Sequence, residues 1–292
     1  MINHNICIKT LFGSLILRRL SAVLFLTSLC FSAQGTTERV ITLDNSLQAT
    51  HTSAVGAAKG SVLLIHGWAG NMDEVGDMYK RLAAQLAEHH IASLRINIRG
   101  ESERESTGYR LTSTFASRIT DAETGLAFLR QQYSDKPIGV VGFSLGGSTT
   151  IRLMGLHPAD INSVVLWSSA GDPSLVGHSI LSPEQMRQVL ETGEVKVPTW
   201  KTLTVTKEHV LGMMGHDIYQ NLSAYKGPLL SIRGSEDYVK PIEKTLFPLT
   251  SSALAEARVL QGADHIFDTY NPKSHFDERV IKQTLQWLID TL

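Results

Sequence analysis

Hydrophobic residues along this chain alternate between two textures. Short apolar runs without polar alternation occur at residues 61–65, 91–98, 137–143, 161–167, 228–234 and 257–260. Such runs read as strands buried on both faces, as in a parallel sheet. Between them lie stripes at helical spacing: Val75, Met78, Tyr79, Leu82 and Leu86; Phe115, Ile119, Ala122, Leu126 and Leu129; and, at the C-terminus, Val280, Ile281, Leu285, Leu288 and Leu292. Strand and helix signals alternate from residue 61 to 170, which predicts parallel strands joined by right-handed helical crossovers. A short strand at 40–43, with the polar stretch 45–51 as a hairpin partner, precedes this unit. Asn71 is placed to cap the helix that follows the first buried strand. Residues 99–111 read as a polar loop.

The alternation breaks at residues 172–226. This excursion carries one helix signal, Ser182-Pro183-Glu184 followed by Met186 and Leu190, and a stretch at 193–198 punctuated by Gly193 and Pro198. An insertion between two strands of an α/β sheet is where a cap sits. Trp200, Met213 and Met214 lie within it, and core packing is favoured for them over an acyl pocket.

The N-terminus has a different texture. Residues 1–35 hold Lys9, Arg18 and Arg19 and no acidic residue, then an apolar stretch at 20–31, then Ala33-Gln34-Gly35. A basic segment, a short apolar core and a small-x-small site are the layout of a secretory signal peptide. The apolar stretch is shorter than the ~20 residues of a membrane span. The expectation is therefore a secreted or periplasmic protein with residues 36–292 as one mature domain, the alternative being an N-terminal membrane anchor. Cys7 and Cys30 are the chain's two cysteines, so a mature protein without the leader has neither a disulfide nor a thiol nucleophile. A net charge of −1 gives no basic footprint for a nucleic acid.

The candidate chemistry centres on Gly142-Phe143-Ser144-Leu145-Gly146, which lies between a strand and a helix-compatible stretch. Gly-x-Ser-x-Gly in that context is the nucleophile elbow, a sharp turn that lifts a serine out of the sheet. Gly142 and Gly146 leave room for the turn, and the following helix points its N-terminus at the serine. The serine needs a base, and the base an orienting acid. Among eleven histidines, His265 lies directly after the last strand, in the loop class that forms the ligand crevice of a parallel sheet. The acid is expected between serine and histidine, in the loop 234–241. Asp237 suits that tight loop better than the longer Glu236, and Asp264, beside the histidine, is a weaker competitor.

The order serine, acid, histidine on alternating strands and helices resembles the α/β-hydrolase superfamily. His66-Gly67-Trp68 resembles its oxyanion loop, Gly234 to Pro241 its acid loop and Gly262-Ala263-Asp264-His265 its histidine loop. Within the superfamily, residues 66–71 and Leu94-Arg95-Ile96-Asn97 are similar to feruloyl (cinnamoyl) esterases and serine aminopeptidase-like hydrolases. The resemblance implies an α/β-hydrolase fold, a mostly parallel central sheet with helices on both faces and a short cap insertion. It also implies a Ser144, His265, Asp237 triad, an oxyanion hole made by the backbone N–H groups of Trp68 and Leu145, and a structural His66. One departure stands out: the family's Arg-Gly-x-Gly-x-Ser is here Arg99-Gly100-Glu101-Ser102-Glu103-Arg104. The implied activity is hydrolysis of a small carboxylic ester through an acyl-enzyme, with no metal or organic cofactor. The alternatives are an amide or thioester substrate on the same triad, or an inactive binding protein on the same scaffold.

Overall fold

The apolar runs pair into a single eight-stranded sheet. In the computed structural model, residues 36–101, 109–175 and 180–292 are described; the leader segment, both cysteines, residues 102–104 and His178 lie outside them. The strands are β1 (Glu38–Thr42), β2 (Gln48–Thr52), β3 (Gly60–Ile65), β4 (Ile91–Asn97), β5 (Tyr109–Leu111), β6 (Ile138–Phe143), β7 (Ser163–Trp167), β8 (Glu194–Pro198), β9 (Thr202–Thr206), β10 (Leu229–Gly234) and β11 (Ala255–Leu260). The large sheet runs β1-β2-β4-β3-β6-β7-β10-β11. β1 and β2 form the expected hairpin, and β2 meets β4 antiparallel; the remaining pairings are parallel.

Helices cover both faces, and the strand sequences show why. Along β3, Leu63 and Ile65 point to one face and Val62 and Leu64 to the other. The first face is packed by α2 (Phe115–Gln132) and α3 (Leu145–Leu156), through Phe115, Ala122, Leu126, Ile151 and Met154. The second is packed by α1 (Met78–Glu88) and the C-terminal helix, Phe276–Thr291, through Met78, Tyr79, Leu82, Val280 and Leu288. A strand buried on both faces has no polar period, which is the texture the sequence shows.

Two expectations change. Asn71 caps no helix: α1 starts after Asp77, whose backbone is left-handed (φ 58°), and the Asn71 carboxamide accepts the Asp73 N–H in a turn. The 193–198 stretch is not irregular either. It forms β8, which pairs antiparallel with β9, and β9 pairs parallel with β5 from within the expected polar loop. Val195 and Val197 on β8 and Leu203 and Val205 on β9 alternate with polar residues. They pack with Leu111, Val189 and Val210 into a separate small core. This three-stranded sheet, with α4 (Pro183–Thr192) and α5 (Lys207–Gly212), forms the body of the cap. Ser182 and Gln185 form a reciprocal capping box at α4, with Pro183 in its first turn. After β10 comes the short α6 (Glu243–Leu246), so the C-terminal helix is α7.

Candidate active site

The site lies where the strand order reverses. β3 is flanked by β4 on one side and β6 on the other, so the loops that leave the ends of β3 and β6 sit side by side. Ile65 is opposite Gly142 in that pairing. The segment 66–71 therefore emerges beside Ser144 although it lies far away in sequence.

Ser144 occupies a strained turn, with φ 52° and ψ −116°. A non-glycine residue in such a conformation costs about 1–3 kcal/mol and persists where its surroundings over-determine it. Here the Ser144 N–H donates to the Trp167 carbonyl at 2.9 Å, and the Ser144 carbonyl accepts from Gly147 and Ala170. The two elbow glycines are sterically required. A Cβ on Gly146 would stand 2.0 Å from the Ile65 carbonyl oxygen, and one on Gly142 would stand 2.4 Å from that of Gly146.

His265 and Asp237 converge on the serine. The Ser144 hydroxyl lies 3.0 Å from His265 Nε2, and His265 Nδ1 lies 2.7 Å from Asp237 Oδ1. With Nδ1–H donating to the carboxylate, Nε2 is free to accept the serine proton. The imidazole is clamped between the rings of Phe143 and Tyr238, whose centroids lie 5.2 and 4.5 Å away. Asp237 also accepts the Val239 N–H and is almost fully buried. The competing acids are employed elsewhere: Asp264 accepts the N–H groups of Ile266 and Asp268 in its own turn, and Glu236 is exposed. Among the described residues, neither the Trp68 nor the Leu145 N–H has a hydrogen-bond acceptor. Both residues border the same cavity as Ser144 and His265.

His66 is locked beneath the loop. Its Nδ1–H donates to the Gly67 carbonyl at 2.8 Å, and its Nε2 accepts the Ile98 N–H at 3.0 Å. Burial and the nearby Arg118 guanidinium hold its pKa down to about 4, so it stays neutral. The residues after the loop are tied to β4: Arg95 pairs with Asp73, and Asn97 accepts the Met72 N–H.

A buried polar cluster next to the site escaped the sequence reading. Arg118 on α2 and Glu101 form an ion pair with both side chains fully buried. Burial alone would raise the Glu101 carboxyl, but the charge and hydrogen bond of Arg118 outweigh it and bring the pKa to about 2. The signal was present: Arg118 falls at the i+3 position of the stripe begun by Phe115, and a charge on an apolar stripe needs a partner. Glu74 is a second missed carboxyl. It borders the cavity and accepts the Asn71 N–H, and burial pushes its pKa up to about 8.

The cavity measures about 1270 Å³. Among the described residues its wall includes Trp68, Tyr109, Trp200, Tyr219 and Tyr238, with Asp73, Glu74, Asp77 and Asp172 as acidic groups and Lys240 as a basic one. Trp200 is thus exposed on the cavity wall and not in the core, whereas Met213 is core. The expected preference for core packing fails at Trp200 because β8 and β9 carry their connecting turn out over the cavity.

Residues 56–212 match the family described as "Serine aminopeptidase, S33". Comparison with curated sequences gave no match. Among solved structures, the chain is similar to Est1E from Butyrivibrio proteoclasticus with ferulic acid bound, at 17% identity and a TM-score of 0.68, over 87% of this chain and 98% of that one. It is similar to a dienelactone hydrolase from Anabaena variabilis at 16% identity and a TM-score of 0.61, over 88% and 99%. It is also similar to a monoacylglycerol lipase from Paleococcus ferrophilus at 18% identity and a TM-score of 0.61, over 84% and 98%. At these identities the likeness is one of fold, and that fold is the α/β-hydrolase fold.

Proposed function

The chain belongs to the serine aminopeptidase, S33, family, and on that premise we propose that it is a serine hydrolase of carboxylic esters acting through Ser144, His265 and Asp237. The observation that carries this reading is the unbroken relay from a serine hydroxyl on a strained elbow, through a clamped imidazole, to a buried carboxylate. In the first half-reaction Ser144 Oγ attacks the ester carbonyl while His265 Nε2 takes its proton. Asp237 holds the Nδ1–H tautomer and stabilises the imidazolium. Negative charge then develops on the carbonyl oxygen. The N–H groups of Trp68 and Leu145, which have no acceptor among the described residues, receive it, aided by the positive end of α3. His265 returns the proton to the leaving alcohol, and an acyl-enzyme remains. Water attacks that ester with His265 again as base, which frees the acid and regenerates Ser144.

The aromatic wall of the cavity favours an acyl group with a flat, apolar face. An aminopeptidase reading is the second one, favoured by the family's description and by the cavity carboxylates of Asp77 and Asp172, which suit an ammonium.

Fluorophosphonate labelling combined with assays on p-nitrophenyl esters and aminoacyl p-nitroanilides tests these readings. Wild type should label once and hydrolyse esters. Ser144→Ala should lose labelling, and Ser144→Ala and His265→Ala should each lower kcat by a factor on the order of 10⁴–10⁶. Turnover of anilides faster than esters would favour the second reading. Folded wild type that neither labels nor turns over any of these substrates would sink both. We further propose that residues 1–35 direct export and are removed. N-terminal sequencing of protein recovered from a secreting bacterium should then begin at Thr36; an intact Met1 would reject this.

A further inference from the structure

The loop that carries the Trp68 N–H is held by the cap. The Trp68 indole Nε1–H donates to His209 Nε2 at 2.9 Å, and His209 Nδ1–H donates to the Ser113 carbonyl at 2.7 Å. With both ring nitrogens so engaged, only one neutral tautomer fits. His209 is fully buried on α5. From Ser113 the chain of contacts returns to the loop. The Ser113 hydroxyl donates to Glu101 at 2.5 Å, and the other Glu101 oxygen accepts the Ala69 N–H at 3.0 Å. Arg118, paired with Glu101, donates to the His66 carbonyl at 2.6 Å. The loop is thus gripped by its backbone at residues 66 and 69 and by the side chain of residue 68. Apolar contacts follow the same route, because Ala69 and Trp68 pack into the cap's own core with Val195, Leu203 and Val210.

The loop needs this grip. Ala69 has a left-handed backbone (φ 53°), a strained conformation for a residue with a Cβ. The direction of the neighbouring Trp68 N–H depends on that backbone staying in place, and the indole of Trp68 sits at the open cavity, with Trp200 its edge-on neighbour.

We propose that His209 is a positioning residue, through which the cap fixes the Trp68 side chain and so the aim of the Trp68 N–H at the reacting carbonyl oxygen. This rests on the serine-hydrolase reading above. Burial keeps the imidazole neutral against the opposing pull of Glu101, and Arg118 acts in the same sense as burial, so the Nε2 lone pair remains available to Trp68.

Two amide replacements divide the bonds of His209. Glutamine places an oxygen near Nε2 and can still accept from Trp68. Asparagine places its amide near Nδ1 and can still donate to Ser113 but cannot reach Trp68. The full-length protein is assayed as wild type, His209→Gln, His209→Asn and Trp68→Phe, with active sites counted by fluorophosphonate titration. Affinity is measured in parallel for a trifluoromethyl ketone, whose adduct with serine places an oxyanion in the hole. Losing a donor outright costs about 10²–10³ in rate, so a loosened one should cost about tenfold. The expected result is about a tenfold fall in kcat per active site for His209→Asn and Trp68→Phe, with KM little changed. Inhibitor affinity should weaken by the same factor, no further loss should appear when His209→Asn and Trp68→Phe are combined in one protein, and His209→Gln should be largely restored. Unchanged kcat and inhibitor affinity in His209→Asn overturns the proposal. So does a loss confined to the number of titratable sites, which marks a purely structural role. Failure of wild type to label removes the hydrolase reading, and the proposal with it.

Discussion

At the scale of single residues, the molecule accommodates several buried titratable groups next to the site, and their pKa shifts set opposing pH dependences. Glu74 keeps its proton to about pH 8 in the fold but only to 4.5 when unfolded. Between those values the native state holds the extra proton, so stability falls as pH rises from 4.5 through 8. His66 is depressed from 6.5 to about 4 and Glu101 from 4.5 to about 2. For both, the unfolded state binds more protons inside those windows, so their contributions are lost as pH falls, from 6.5 to 4 and from 4.5 to 2. The Glu74 and His66 slopes oppose one another between pH 4.5 and 6.5. Urea unfolding across pH 3–9 should therefore show a plateau there and a decline on each side. Glu74→Gln should flatten the alkaline decline and leave the acid one. An unchanged alkaline limb in that variant would rule out Glu74 as its source.

At the scale of elements, α2 shows what a helical stripe conceals. Its apolar positions were readable from spacing, and its N-terminus is capped by the reciprocal Thr114 and Ser117 bonds. Its buried face also carries Arg118 and Asp121, which spacing alone does not distinguish from solvent-facing charges. The partner of Arg118 lies on a different segment, seventeen residues earlier in the chain. Removing one member of a buried pair leaves an uncompensated charge, so Arg118→Met should destabilise the protein by about 3–5 kcal/mol in chemical denaturation. Arg187→Met, which breaks an exposed pair with Glu184 on α4, should cost under ~1 kcal/mol. Equal costs for the two would contradict the burial argument. The strands of the cap were harder to read than those of the main sheet. β8 and β9 are five residues each, and the terminal Pro198 made the first of them look like a loop.

At the scale of the whole molecule, the cap divides the labour with the sheet. The sheet supplies the elbow and the loops of Asp237 and His265; the cap supplies much of the aromatic wall and contacts the Trp68 loop. Trp200, on the β8–β9 turn, is 63% exposed and borders the same cavity as Ser144 from a distant part of the sequence. Trp200→Ala should raise KM severalfold for p-nitrophenyl esters of bulky or aromatic acids and leave acetate esters near wild type. A uniform loss across acyl groups would argue against a role in acyl recognition.

Legible in the residues alone were the parallel-sheet architecture, the elbow with its two glycines, and the loops in which Ser144, His265 and Asp237 stand. Each rests on a local signal: an apolar run, a required turn, or a position just past a strand. Long-range packing brings the segment after β3 out beside the elbow, turns Trp200 to the cavity, and joins Glu101, Arg118 and His209 at the Trp68 loop. Those outcomes depend on strand order and on charged side chains finding partners from distant segments. A periodicity of two or 3.6 residues shows which face of an element is buried but carries no information about what it is buried against.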